Sequence, residues 1–208
     1  MSVDSLKRVV LFIDEKNVYW GARRAFFDKS AHHTCGQFNP MRLGQLICSR
    51  LPRGVSEGRA LSQVRLYTGT PSATFEPKSY GAHMKQRSAW EAAGVIVISR
   101  PLRYLANRSP GEQKGIDVAL AVDFVTLAVE GHYDVGIIFS TDTDLKPALE
   151  FVAGRDGPKA EVACWWSPSA QSYLSIRGGP PIWSWRLMMD HYKAVADYTD
   201  YNKSSLAR

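Results

Sequence analysis

Four aspartates, Asp14, Asp117, Asp142 and Asp144, stand in the most apolar stretches of this 208-residue chain. Asp14 closes the run VVLFID, and Asp142 follows VGIIFST. Carboxylates that converge repel one another and raise each other's pKa unless a cation lies between them. A donor set made of oxygen alone favours Mg2+ or Mn2+ over zinc. The chemistry it supports is phosphodiester hydrolysis, in which metal ions, often a pair about 3.5–4 Å apart, activate water and stabilise the leaving oxygen. No nucleophilic side chain is required. Ser140, Thr141 and Thr143 are candidates to orient water or a carboxylate, and Lys114, Arg100, Arg103 and Arg108 are candidates for phosphate contacts.

The elements that must position these residues can be read from hydrophobic pattern. Residues 9–13 form an apolar run without alternation, as expected of a strand buried on both faces of a parallel sheet. Similar runs recur at 64–67, 95–98, 135–139 and 160–165, and helical patterns cover 18–28, 41–50, 78–93, 116–130 and 145–153. Strands alternating with helices imply an α/β fold with right-handed crossovers and a parallel sheet of about five strands. Asn17 and Asn39-Pro40 are helix-start signals, and Gly94, Gly131 and Gly154 stand where helices should stop. Residues 167–185, rich in Gly and Pro, are expected to end the alternation, with a last helix around 187–198.

In such a sheet Asp14 and Asp142 end parallel strands on the same edge, where open α/β folds bind ligands. A crossover helix starts at that edge, which places Asp117 beside them. Asp144 taken alone reads as a helix cap. Asp123 falls about 240° round the helix from Asp117 and should not share the site. Asp134, before its strand, belongs to the opposite edge.

Composition is that of a folded globular chain, with 45% hydrophobic and 22% charged residues. The charge of +6 suits a polyanion. Three scattered cysteines, Cys35, Cys48 and Cys164, suggest neither a disulfide framework nor a zinc ribbon and are expected to be reduced. No run reaches membrane-spanning length, so a cytoplasmic location without membrane contact is expected.

FIDEKN at 12–17, KGIDVALAVD at 114–123 and STDTDLKPAL at 140–149 resemble the three signature segments of NYN domains, the LabA-like branch of the PIN-like nuclease superfamily. YTGTP at 67–71 and RPLRY at 100–104 also resemble bacterial members. The resemblance covers roughly residues 8–166 and implies a PIN-like sheet in the order 3-2-1-4-5 and metal-dependent ribonuclease activity. The expected organisation is one domain over residues 1–166 with 167–208 as an extension packed on it, and the expected substrate is single-stranded RNA. It matches Asp14, Asp117, Asp142 and Asp144 to the family's acidic positions and Asn17 to its asparagine. Where the family often has glycine after the first aspartate, this chain has Glu15 and Lys16. Glu15 is expected to point away from the cluster, since neighbouring side chains at a strand end diverge.

Other readings fit less well. A Rossmann cofactor site needs glycines after the first strand, and an aspartyl-phosphate enzyme needs a second aspartate where Lys16 stands. A Toprim-like reading uses Asp142 and Asp144 but leaves Asp117 without a role. The rival from another class is a non-catalytic RNA-binding or regulatory module on the same fold, and a homo-oligomer is left open. His32, His33 and Cys35 crowd one loop without a partner cluster in the sequence, which favours ordinary surface. Trp165, Trp166, Trp183 and Trp185 are expected to pack rather than stack on bases.

Overall fold

The first strand, β1 (Lys7–Asp14), sends alternate side chains into two separate cores. Val9, Leu11 and Ile13 enter one, and Val10 and Phe12 the other. Both faces are therefore apolar, which is why the run shows no polar alternation. The computed structural model describes residues 6–105, 110–176, 179 and 181–203. Arg108 and the Arg177-Gly178 pair lie outside the described residues.

The other strands are β2 (Arg59–Thr70), β3 (Ile96–Pro101), β4 (Val135–Phe139), β5 (Lys159–Trp165) and β6 (Trp183–Leu187). They form one parallel sheet in the order β3-β2-β1-β4-β5-β6. Helices α1 (Glu15–Phe26), α2 (Pro40–Cys48), α3 (Pro77–Ala92) and α6 (Met189–Val195) contribute to the first core, for example through Val18, Leu43, Trp90 and Tyr192. Helices α4 (Ile116–Val129) and α5 (Lys146–Ala153) cover the second with Leu120, Phe124, Leu149 and Val152. The change of face occurs at the β1/β4 boundary, which opens a crevice at the carboxyl edge of the sheet. Among the described residues no helix is long and apolar enough to cross a membrane.

The sheet has six strands rather than the expected five or so, because β6 pairs with β5 where the sequence pattern reads as connection. WSWRL buries Trp185 and Leu187 while Trp183 and Arg186 stay exposed. A one-sided edge strand lacks the continuous apolar run that marks the inner ones. Of the four tryptophans expected to pack, Trp165 and Trp185 are buried, with Trp165 Nε1 donating to the Val18 carbonyl at 3.1 Å, whereas Trp166 is half-buried and Trp183 exposed.

Under β1, Phe12 meets the rings of Phe124 and Tyr133 at centroid distances of 5.1 and 5.7 Å. Gly136 on β4 makes room for this group, since a Cβ there would lie 2.7 Å from both the Phe124 and Tyr133 rings. Gly136→Ala is therefore expected to destabilise the protein by about 1–3 kcal/mol, the usual cost of overpacking. Urea unfolding measures this, and an unchanged midpoint would contradict the packing described.

Candidate functional site

The carboxyl end of β1 runs directly into α1, and three residues, Ser140 to Asp142, lead from β4 to the helical turn that follows it. Asp14 is the last residue of β1 and also the N-cap of α1, its Oδ1 accepting from Asn17 N at 3.2 Å. This corrects the reading of Asn17 as the cap: the helix begins three residues earlier than the pattern suggested. Asn17 instead reaches across to the segment after β4, where its Oδ1 accepts from Thr141 N at 3.0 Å and Thr141 Oγ1 at 3.1 Å. Ser140 completes the link. Its Oγ donates to Asp14 Oδ2 at 3.2 Å and accepts from Asp142 N at 3.1 Å.

Asp142 is the N-cap of the single 3-10 turn Thr143–Leu145 that leads into α5, with Oδ1 accepting from Asp144 N at 3.0 Å. The capping role expected of Asp144 thus falls to Asp142, and Asp144 is exposed in the turn. Asp117 lies in the first turn of α4, whose N-cap is Gly115 at φ 71°. Only a residue tolerant of this left-handed conformation can start the helix there.

Asp14, Asp117 and Asp142 line one cleft together with Gln113 and Ile116. Its continuation is lined by Lys16, Asn17, Trp20 and Arg24. Asp144 lines neither part. Asp14 is 9% exposed, and burial, with smaller contributions from the Asp142 and Asp117 charges, pushes its pKa up to about 6 against the lowering effect of its hydrogen bonds. Glu15 turns the other way, accepting from Thr68 Oγ1 on β2 at 3.2 Å, and burial raises it to about 7. Its divergence from Asp14 follows the strand-end geometry.

A sequence model of the NYN domain matches residues 8–174. The chain belongs to the NYN domain family. A crystal structure of a protein of unknown function from Vibrio parahaemolyticus shares the fold, with a TM-score of 0.53 over 83% of this chain and 88% of that one at 18% identity. Among curated proteins none matches. The NYN domain here has a PIN-like three-layer arrangement, with β6 added beyond the order 3-2-1-4-5.

Basic residues of the NYN domain gather at the same edge as the acids. Arg100 is the penultimate residue of β3, and its guanidinium lies 3.7 Å from the Cβ position at Gly115. Exposed Arg103 and Lys114 flank the strap in which Arg103 and Glu112 exchange backbone hydrogen bonds, both 2.8 Å. The strap brings Gln113 into the cleft, which no local sequence signal announces. Lys16, Trp20 and Arg24, by contrast, are spaced four apart on α1 and so form one stripe. That spacing was legible once the helix start is placed at Glu15. Trp20 is 46% exposed, with Arg23 over its ring at 5.8 Å. Asp123 pairs with Arg65 at 2.7 Å and Tyr67 at 2.8 Å, and Asp134 with Arg8 at 3.0 Å, so both are occupied structurally.

Proposed function

We propose that this NYN domain is a Mg2+- or Mn2+-dependent ribonuclease acting on single-stranded RNA, with Asp14, Asp117 and Asp142 holding the metal. The observation that carries this reading is the single cleft lined by those three carboxylates, one from a strand end, one from a helix start and one from a turn. The donor set fits a hard divalent cation, because it is all oxygen and because burial, with a smaller effect of the Asp142 and Asp117 charges, raises the pKa of Asp14. A cation bound there supplies water activation and stabilisation of the leaving oxygen.

The chain's own groups prepare the cleft. Ser140 Oγ fixes one oxygen of Asp14, and Asn17 pins the backbone of Thr141, so the ends of β1 and β4 are held in register. The Asp142 cap bond uses Oδ1, which leaves Oδ2 for the cleft. Asp144, exposed on the rim, serves activity less than the other three. Arg100, Arg103 and Lys114 on one side and Lys16 and Arg24 on the other suit phosphates, and Trp20 offers a ring on which a base stacks.

A non-catalytic RNA-binding reading draws on one specific observation. Among the described residues, the group of ligand atoms that all lie within 4.8 Å of one another is formed by His32, His33 and Asp200, not by the aspartates. Turnover separates the two readings. Cleavage of a labelled single-stranded RNA is expected with Mg2+ or Mn2+ and is expected to stop in EDTA. Cleavage that persists in EDTA, or binding without turnover at any divalent ion, would favour the rival.

Replacing both Lys114 and Lys16 by Ala is expected to weaken RNA binding and to flatten its salt dependence by about 0.7 logarithmic units per lost phosphate contact. Trp20→Ala should cost about 1–3 kcal/mol of affinity, the scale of one stacked base, with the salt slope unchanged. Fluorescence anisotropy over a salt series checks both. Equal losses of slope in the two variants would remove the assignment of Trp20 as a stacking platform.

A further inference from the structure

His32 and His33 sit in the loop between α1 and α2, and Asp200 belongs to the segment after α6. A ring nitrogen from each histidine and a carboxylate oxygen of Asp200 lie within 4.8 Å of one another. His33 Nε2 is 3.0 Å from Asp200 Oδ1. Ligand atoms on a tetrahedral Zn2+ are about 3.3 Å apart, given Zn–N bonds of about 2.0–2.1 Å. His33 and Asp200 therefore already stand near ligand spacing, and a ring nitrogen of His32 lies within 4.8 Å of both, while its Nδ1 is 2.9 Å from Thr34 Oγ1.

The backbone carrying the two histidines is braced from several sides. Arg23 donates to the carbonyls of Ala31, His32 and Cys35 at 2.7–2.8 Å, and Tyr19 OH donates to the His33 carbonyl at 2.8 Å. The Asp200 side is braced as well. Phe38 bridges Ala196, Asp197 N donates to the Gln37 carbonyl at 3.2 Å, and Asp200 Oδ1 accepts from Asn202 N at 3.1 Å. Asn202 Nδ2 also lies 3.1 Å from His33 Nε2. In this amide orientation Asn202 asks that nitrogen to accept while Asp200 asks it to donate. A cation bound by Nε2 and the carboxylate takes the lone pair that Asn202 addresses, so metal binding displaces the Asn202 amide from that nitrogen.

We infer that His32, His33 and Asp200 form a second metal site, one for a divalent transition ion such as Zn2+, that clamps the segment after α6 onto the loop between α1 and α2. Two imidazoles and one carboxylate are a borderline donor set, unlike the all-oxygen cleft, and three protein ligands leave a position open for water. The clamp is separate from the aspartate cleft in ligands and in metal preference. It does not depend on the nuclease reading.

Calorimetric titration of ZnCl2 into the untagged full chain tests this. The expected result is one Zn2+ bound at micromolar concentration or tighter, with affinity lowered at least about tenfold by His33→Ala and by Asp200→Ala. Asp14→Asn/Asp142→Asn should leave Zn2+ binding unchanged. Hydrogen exchange gives a second readout: amides of residues 197–203 should exchange more slowly with Zn2+ in the wild type and not in His33→Ala. Absence of stoichiometric binding would overturn the site, as would Zn2+ affinity that survives both single variants or vanishes in the aspartate double variant. Binding without slower exchange in 197–203 would overturn the clamp.

Discussion

Asp142→Asn should lower metal-dependent RNA cleavage about 100-fold or more, the scale seen when one preorganised charge-stabilising group is removed, with the fold intact. Asparagine keeps the size of the side chain and can still cap Asp144 N through its carbonyl, while the charge that a divalent ion requires is gone. Asp14→Asn should act alike on cleavage and also raise stability without metal. The sign follows from the raised pKa of about 6. The folded chain holds the Asp14 proton up to about that pH, whereas an unfolded aspartate releases it near about 3.9. Between those values the native state binds more protons, so this group's contribution to stability falls as pH rises through the window and then levels off. Removing the carboxylate at pH 7 should therefore gain on the order of 1–3 kcal/mol. Metal and proton compete for the same oxygens, so wild-type activity should rise with pH through about 6. Melts from pH 4 to 8 beside a gel assay check this. A less stable Asp14→Asn, or an Asp142→Asn that cleaves at the parental rate, would contradict the account.

Glu161→Ala should be the most damaging single change to stability, at about 3–5 kcal/mol. The Arg59 and Glu161 side chains are 3% and 5% exposed and meet through two parallel bonds of 3.0 and 2.7 Å, which tie β2 to β5. Trp185 Nε1 donates to the same carboxylate at 2.8 Å and so brings β6 into the network. Alanine leaves a buried guanidinium and an indole N–H without partners. Arg59→Met/Glu161→Leu should recover most of the loss, because the large cost belongs to the unpaired charge and not to the pair itself. Urea unfolding of both variants decides it. A loss below about 1 kcal/mol for Glu161→Ala would show that water reaches the guanidinium.

How much of this was legible in the sequence differs from one element to the next. Residues 9–13 and 135–139 are apolar on both faces, so the central strands and the carboxylates that follow them are legible in the sequence alone. Residues 59–63 of β2 mix polar and apolar types, as do 68–70, and only its middle at 64–67 stands out. β6 escapes the pattern because a one-sided edge strand that follows Pro180 and Pro181 lacks the continuous apolar run of an inner one. The caps differ from the sequence reading for a physical reason: at Asp14 the strand passes into α1 without a loop, so the aspartate that ends the strand is also the cap, and after β4 a single 3-10 turn precedes α5, so the cap falls on Asp142 ahead of that turn. The stripe of Lys16, Trp20 and Arg24 disappeared with the late helix start at 18. His32 and His33 were visible as a pair, but Asp200 lies 167 positions beyond His33 and only the fold brings it there.

The central claim is that Asp14, Asp117 and Asp142 share a divalent ion. A crystal of the protein soaked in Mn2+ and read by anomalous difference density tests it most directly. The account predicts a peak between those three carboxylates that is lost in Asp142→Asn. A clean cleft at millimolar Mn2+, with density only beside His32, His33 and Asp200, would contradict it.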